Sequence, residues 1–245
     1  MSPSPIISVY GSAYRPQNWV GLYNTLIDND ISFEIVFVGP NEPDFILPDN
    51  FKYIKSSVKP AQCVEIASRY ATGELIMQVA DDLEFRTPKM LDSLYSVYTA
   101  YNDERLIVSC RFMVDGVDVS SLCCNYLAGR PETPMISVAG LMSNRLYREV
   151  GGIDRNFVAV CGDMDVIMRI HKRGGSVVLS DIYVNENRLH CGNDLYALYS
   201  VQDRALLDSL WMVGGSVQLD RARLFEPFSN ERILEESQGP KGRWI

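Results

Sequence analysis

Residues 73–85 read Gly-Glu-Leu-Ile-Met-Gln-Val-Ala-Asp-Asp-Leu-Glu-Phe, and this stretch decides the fold. Leu75 to Val79 is an almost unbroken apolar run of strand length, which is typical of a strand covered on both faces in a parallel sheet. Two adjacent carboxylates, Asp81 and Asp82, follow the run, with Glu84 close behind. Because ligands of open α/β sheets bind beyond the carboxyl ends of the strands, we expect these acids at the mouth of a site.

The Asp81–Asp82 pair allows two interpretations. Neighbouring carboxylates repel each other unless a positive group lies near both of them. A divalent cation that carries a diphosphate is the usual reason to place such a pair at a site. The alternative is a solvated turn after a buried strand, because Asp is a common turn former. The rest of the chain favours the cation.

The composition excludes some classes of function. The chain has 245 residues, of which 47% are hydrophobic and 22% charged, enough for one sizeable α/β domain or two small ones. Its net charge of −8 provides no basic field for nucleic acid or an anionic membrane, so we expect neither as a partner. An anionic substrate would have to be met locally, by a metal ion or by a few basic groups.

The sequence also bears on location. Residues 1–5 lack the charged and apolar regions of a signal peptide, and no apolar run approaches the ~20 residues of a membrane span. The six cysteines have no metal-knuckle spacing, and the adjacent Cys123 and Cys124 are poorly placed for an ordinary disulfide. We therefore expect a cytoplasmic protein with no membrane span and with reduced cysteines in buried structural roles.

Strand and helix patterns alternate along the first part of the chain. The predicted strands cover residues 6–10, 31–38, 51–55 and 75–79, and the predicted helices cover residues 18–28 and 60–71. This alternation predicts a parallel sheet of the nucleotide-binding kind. Neither G-x-G-x-x-G nor G-x-x-x-x-G-K-[ST] follows any of these strands, which removes the NAD-type and P-loop interpretations.

The second part of the chain is less regular. The predicted helices cover residues 88–101, 144–150, 166–172 and 203–211, and the predicted strands cover residues 106–112, 135–141 and 176–183. Residues 114–134 have no clear period, and so long an irregular stretch in a compact domain is more often functional than idle. Beyond Arg221 the chain is polar, and we expect a loosely docked tail there.

A second pair of carboxylates, Asp163 and Asp165, lies at the start of the helix predicted from Val166. Acidic groups are favoured at this place by the unsatisfied amides and by the helix dipole. A purely structural interpretation therefore makes Asp163 the N-cap and pairs Asp165 with Arg169 one turn later. The order of the motifs along the chain favours a functional role instead.

Three runs of sequence, taken in order, resemble those of the inverting GT-A glycosyltransferases, in particular the family-2-like group. The first strand opens with the run at residues 7–15. A Gly-Glu–apolar–Asp-Asp strand then ends at Asp82, and a Gly-Gly–apolar–Asp run begins at Gly151 and leads to Asp163. The resemblance covers about residues 5–192.

The resemblance implies an α/β protein of the GT-A fold, a Rossmann-like fold with a mostly parallel central sheet flanked by helices. Residues 1–245 would form a single GT-A domain. Its nucleotide-sugar-binding half would cover residues 1–105 and its acceptor half residues 106–200. A C-terminal helix and tail would occupy residues 201–245.

The resemblance also implies an activity, the transfer of a sugar from a nucleoside-diphosphate sugar donor to a hydroxyl group of a glycan or other acceptor. Asp82 would hold a Mn²⁺ or Mg²⁺ ion on the donor diphosphate, and Asp81 would contact the ribose or share the metal. Asp163 would be the general base, and a single displacement inverts the anomeric centre. A helix N-terminus lowers the pKa of a carboxylate, which would weaken Asp163 as a base.

Other site positions follow from the same resemblance. Ser12, Tyr14 and Arg15 occupy the exit loop of the first strand, where the family contacts the base or the phosphates. The remaining candidates are Asn41 for the base, Asp165 for the donor and His190 for the metal or a phosphate. The structural alternatives make Arg15 a solvated loop cation and His190 a structural histidine after a strand.

Two other functions stay open. A nucleotidyltransferase would also place a metal carboxylate near a nucleotide, but it needs a Gly-rich loop followed by a basic residue, and residues 11–13 are a poor version. A sugar-nucleotide-binding protein without turnover is favoured by the lack of a leading carboxylate at Ala80 and opposed by the intact Asp163 region. Tyr126 and Arg130 are acceptor-site candidates by position alone.

Overall fold

The computed structural model describes residues 4–186, 195–222 and 224–230. The larger strands are β1 (Ile7–Ser12), β2 (Phe33–Gly39), β3 (Phe51–Lys55), β4 (Leu75–Gln78), β5 (Leu83–Phe85), β6 (Leu106–Val114), β8 (Leu141–Ser143) and β9 (Ser176–Glu186). Three short strands are β7 (Val117–Asp118), β10 (Met212–Val213) and β11 (Ser216–Val217). The helices are α1 (Pro16–Asn24), α2 (Pro60–Tyr70), α3 (Met90–Tyr101), α4 (Ser120–Cys123), α5 (Asn144–Glu149), α6 (Gly162–Lys172) and α7 (Leu195–Trp211).

Within the described residues a nine-stranded sheet runs through the molecule in the order β3-β2-β1-β4-β8-β6-β9-β5, with β7 paired to β6. The neighbours among β3, β2, β1 and β4 are parallel, as the alternation of strands and helices predicted. Further along, β8 is antiparallel to β4 and β6, while β6 and β9 are parallel. The carboxyl ends of β1, β2 and β4 therefore meet at one edge.

Two apolar layers cover the two faces of the sheet. Successive side chains of β1 alternate between them, since Ile7 and Val9 join one layer and Tyr10 joins the other. Helices α1 and α3 contribute Trp19, Leu91 and others to the first layer, and α2, α6 and α7 contribute to the second. Burial on both faces explains why the central strands are apolar without alternation.

Some predicted boundaries were wrong. The strand predicted over residues 135–141 begins only at its last residue, as β8. Met135 makes an isolated bridge with Asn125, and the chain then turns at Ala139, whose φ of 44° is left-handed. Helix α6 begins at Gly162 rather than Val166, because left-handed Cys161 (φ 63°) is its N-cap, so Asp163 is not the cap. Helix α7 begins at Leu195, eight residues before the predicted start at Asp203.

The described helices also bear on membrane insertion. Across the described ranges, none of them combines the length and apolarity that crossing a bilayer requires.

Candidate functional site

A cavity of about 700 Å³ opens beyond the carboxyl ends of β1 and β4. This volume lies in the usual range for small-molecule sites. Its wall includes Ser12 and Asp82 from the first part of the chain and Asp163, Glu186 and Arg204 from the second. The fold therefore brings both predicted carboxylate motifs to one cavity.

Asp81 anchors the loop after β1. Its Oδ2 accepts hydrogen bonds from the backbone N–H groups of Tyr14 (2.6 Å) and Arg15 (2.5 Å) and from the indole of Trp19 (3.4 Å). Its Oδ1 accepts from Nε and Nη2 of Arg15 at 3.0 and 2.7 Å. Asp81 is 2% exposed, and a contact with ribose or metal would require these donors to leave. This geometry does not support the predicted ligand contact of Asp81.

Arg15 is the positive group that the acid pair requires. Its Nη1 lies 3.0 Å from Oδ2 of Asp82, while the rest of the guanidinium contacts Asp81. Arg15 is only 19% exposed at its side chain, so it is not a solvated loop cation. Burial raises the pKa of Asp82; Arg15 opposes that shift, and Asp81 and Glu186 add to it.

The other donor-site candidates lie around the same loop. Ser12 lines the cavity at the end of β1. Asn41, which is exposed, donates from Nδ2 to the carbonyl of Tyr14 at 2.7 Å and so joins the loops after β1 and β2. Ser12 and Asp82 therefore line the cavity, Arg15 contacts Asp82, and Asn41 reaches this region only through Tyr14. Their contacts with a donor stay predictions.

Asp163 lies in the first turn of α6 and is half-buried in the cavity wall. Its Oδ1 accepts a hydrogen bond from the backbone N–H of Met164 at 2.9 Å. Burial nevertheless raises the pKa of Asp163 above its ordinary value, because desolvation outweighs the lowering by the backbone amides. The expectation that the helix N-terminus sets the pKa was wrong, and the shift favours a base.

Asp165 faces away from the cavity. It is fully buried, and its carboxylate accepts hydrogen bonds from Nε of Arg169 at 3.0 Å and from Nε1 of Trp211 at 2.8 Å. The guanidinium of Arg169 also donates to the carbonyls of Val150 and Gly152. The structural interpretation, a pair between Asp165 and Arg169, is confirmed, and the geometry does not support donor binding by Asp165.

The Gly-Gly motif is explained by packing. Gly152 has a φ of +71°, and a Cβ there would lie 2.3 Å from Oε2 of Glu65. The buried Glu65 accepts from the hydroxyl of Tyr147 at 3.0 Å and from the backbone N–H of Ile153 at 3.1 Å. The motif therefore shapes the turn that leads towards α6.

Asp203 is a site-supporting residue that the sequence did not indicate. It is fully buried in α7, and its carboxylate accepts hydrogen bonds from the backbone N–H groups of Val158, Ala159 and Val160 at 2.8–3.2 Å. Val160 lines the cavity shortly before α6. A single Asp within a helical pattern carries no signal for such a role.

Two further cavity residues were missed. Glu186 ends β9, which extends three residues beyond its predicted end at Tyr183. Arg204 donates to the carbonyl of Tyr126 at 3.0 Å, and its guanidinium lies over the ring of Tyr126 at 5.6 Å. Neither acceptor-site candidate is among the residues that line the cavity. Tyr126 is fully buried, and Arg130 pairs with Glu132 at 2.6 Å.

Among the described residues, three cysteines have the expected buried position, whereas Cys161 is half-buried and Cys123 is exposed. Cys191 lies outside the described residues. Cys63, Cys110 and Cys124 are buried, as expected. Burial raises the pKa of Cys161, which lines the cavity, to about 12, so its thiol stays protonated at neutral pH. Cys123 is exposed, which contradicts the expected burial.

The described residues offer carboxylates at the cavity but no complete metal site. Among the described residues no group of three or more His, Cys, Asp or Glu side chains could hold a metal. Asp82 and Glu186 nevertheless both line the cavity, and Mg²⁺ is commonly bound by one or two carboxylates together with substrate phosphates. His190, the other predicted ligand, lies outside the described residues.

Comparisons with known proteins identify the fold. No family model matches the sequence, and no curated protein matches it. The structure resembles S. aureus TarS 1–349 in complex with UDP-GlcNAc, with a TM-score of 0.54, 16% identity and coverage of 82% of this chain and 69% of that one. It also resembles the mannosyltransferase PcManGT from Pyrobaculum calidifontis in complex with GDP-Man and Mn²⁺, with a TM-score of 0.63, 15% identity and coverage of 89% and 67%.

These neighbours have the GT-A fold of glycosyltransferases, and the predicted fold class is thereby confirmed. In another match the chain spans 59% of TarS 1–349, and it spans 40% of TarS itself. At such identities the likeness is one of fold, so the activity of this chain has to be argued from its own site.

Proposed function

We propose that this chain is a metal-dependent inverting glycosyltransferase that moves a sugar from a nucleoside-diphosphate sugar to a hydroxyl group, such as that of a glycan. The observation that carries the proposal is one cavity with Asp82 in one part of its wall and Asp163, with its raised pKa, in another. The neighbours bind donors of this kind, UDP-GlcNAc for TarS and GDP-Man for PcManGT.

The donor end of the cavity would bind the nucleoside diphosphate. Ser12 ends β1 and Arg15 lies on the loop that follows, and Arg15 adds a permanent positive charge beside Asp82. Asp82 and Glu186 would hold Mn²⁺ or Mg²⁺, which supplies charge stabilisation for the leaving diphosphate. Among the described residues the side-chain oxygen of Asn41 accepts no hydrogen bond, so it would be available for the base while the amide nitrogen is bound to Tyr14.

Asp163 would accept the proton of the acceptor hydroxyl as that oxygen attacks the sugar. The raised pKa makes the carboxylate a stronger base than an ordinary Asp, and the Met164 amide fixes one of its oxygens. Asp203 and Asp165 anchor the loop before α6 and α6 itself, so the base is held by fixed elements. A single displacement of this kind inverts the anomeric centre.

The test is the Asp163→Asn variant. We first expect a rise in thermal midpoint with Mn²⁺ and one of UDP-, GDP- or dTDP-sugars, because a ligand that binds only the folded state raises it. The variant should keep this rise and lose transfer or donor hydrolysis by about 10²–10⁴-fold, the usual contribution of a general base.

The matched control is Asp181→Asn, which removes a carboxylate that is 93% exposed on β9. It should retain wild-type turnover. Undiminished turnover in Asp163→Asn would reject the proposed base. Donor binding by the wild type with no turnover would favour the sugar-nucleotide-binding protein instead.

A further inference from the structure

One guanidinium joins both carboxylates at the end of β4. Nε and Nη2 of Arg15 lie 3.0 and 2.7 Å from Oδ1 of Asp81, and Nη1 lies 3.0 Å from Oδ2 of Asp82. The side chains of Arg15, Asp81 and Asp82 are 19%, 2% and 9% exposed. Because little water surrounds these three charges, the pairs are screened less than pairs on the surface.

The two carboxylates differ in what else binds them. Asp81 also accepts the backbone N–H groups of Tyr14 and Arg15, whereas Asp82 lines the cavity. If Nη1 leaves Asp82, two other guanidinium nitrogens and the backbone of Arg15 remain bound to Asp81. Asp82 can therefore change partner while the loop after β1 stays in place.

A diphosphate in the cavity would offer Arg15 a better partner than Asp82. The guanidinium is a planar fork that matches phosphate oxygens with two N–H donors, and such charge-assisted bonds are strong. Arg15 has one nitrogen, Nη1, directed at the carboxylate that faces the cavity. Asp82 lines the cavity and Arg15 does not, so a phosphate bound beside Asp82 would replace that carboxylate at Nη1 while Nε and Nη2 stay on Asp81.

We propose that Arg15 is an internal counterion that competes with a divalent metal ion for Asp82, so that metal and diphosphate bind cooperatively. This inference rests on the proposed function. In the free protein Arg15 neutralises Asp82 and weakens its attraction for a second cation. With a diphosphate present, Nη1 of Arg15 binds the phosphate, and Asp82, no longer neutralised by Arg15, attracts the metal more strongly. The coupling is reciprocal, so metal also strengthens diphosphate binding.

The test measures Mn²⁺ binding to the free protein by electron paramagnetic resonance, and then repeats it with saturating UDP or GDP. The variants are Arg15→Gln and Arg15→Lys, and the matched control is Arg86→Gln. Arg86 follows β5, is 60% exposed at its side chain and pairs with Glu84 at 2.6 Å, so its variant removes the same charge nearby.

Without nucleotide, we expect Arg15→Gln to bind Mn²⁺ about three- to tenfold more tightly than the wild type does. A tenfold change corresponds to about 1.4 kcal/mol. Arg86→Gln should stay within about twofold, because surface pairs contribute little. The gain in Mn²⁺ affinity caused by the nucleotide should be smaller in Arg15→Gln. Arg15→Lys, with a charge but no fork, should lie between wild type and Arg15→Gln.

Equal Mn²⁺ affinities for Arg15→Gln and Arg86→Gln would overturn the inference, and so would an unchanged gain with nucleotide. A wild type that binds neither UDP nor GDP in the presence of Mn²⁺ would count against the proposed function instead. If Arg15→Gln does not fold, as judged by circular dichroism, Arg15→Lys decides, since an affinity no higher than that of the wild type also overturns the inference.

Discussion

The two carboxylate pairs near the cavity have similar partners but differ in how their arginines are placed. In each pair one acid faces the cavity, Asp82 or Asp163, and its neighbour is buried. Each buried acid is bonded by an arginine and by a tryptophan indole. These donors are Arg15 and Trp19 for Asp81, and Arg169 and Trp211 for Asp165.

The two pairs differ in how many of their acids the arginine contacts. Arg15 contacts both acids of its pair, whereas in the described part of the molecule Asp163 forms no ion pair. The pKa of both cavity acids is raised by burial. Arg15 partly offsets the rise for Asp82, and backbone amides are the groups that offset it for Asp163 within the described residues. A carboxylate beside a cation suits a metal ligand, and one without a cation suits a base.

The largest expected change in the free energy of unfolding follows the loss of the Asp165 carboxylate. In Asp165→Ala, Arg169 would keep the neutral carbonyls of Val150 and Gly152 but lose its buried carboxylate. Removal of one partner from a buried pair costs about 3–5 kcal/mol, and we expect the free energy of unfolding, measured in urea, to fall by that amount. Asp181→Ala, on the surface, should change it by less than about 0.5 kcal/mol.

A smaller effect is expected at the other anchor. In Asp81→Ala, Arg15 would keep the carboxylate of Asp82, so the guanidinium is not left without an anion. The backbone N–H groups of Tyr14 and Arg15 would lose their acceptor. We therefore expect a loss of about 1–3 kcal/mol in the same measurement, the cost of unsatisfied donors. A loss equal to that of Asp165→Ala would show that the second contact of Arg15 has no energetic effect.

Much of the fold could be predicted from sequence because its signals are local. The apolar runs that became β1, β2 and β4 are continuous in the chain, and their burial on both faces follows from helices on both sides. The strand predicted over residues 135–141 failed because Ala139 adopts a left-handed conformation that no local pattern of apolar residues reveals.

The site could be predicted only as a set of candidates. Which acid of each pair faces the cavity depends on partners far away in sequence: Arg15 is 66 residues from Asp81, and Trp211 is 46 residues from Asp165. The sequence places these acids at the end of a strand or the start of a helix, but it does not show which of them a distant side chain will bind. Asp203, 43 to 45 residues from the loop that it anchors, was missed for the same reason.

The smallest expected change in the free energy of unfolding is at Asp163, and it is an increase rather than a decrease. Burial raises its pKa in the folded state, so the folded protein disfavours the charged carboxylate relative to the unfolded chain. Asp163→Asn removes that penalty, and we expect the variant to be more stable than the wild type by about 0.5–1 kcal/mol at neutral pH, while it loses turnover. Thermal or urea unfolding at several pH values measures the difference.

The pH dependence of the stability difference between Asp163→Asn and the wild type is a second test of the raised pKa. Above the raised folded pKa the wild-type carboxylate is charged in both states, and the penalty on the folded protein is complete. As the pH falls through the folded pKa and then below the ordinary Asp value, the group is protonated in both states, and the advantage of Asp163→Asn should vanish. An advantage that persists in acid would assign it to packing, and a variant less stable than the wild type at neutral pH would contradict the raised pKa. In that case the carboxylate would be held as an anion, as in a metal ligand, and the contrast between the two pairs would be lost.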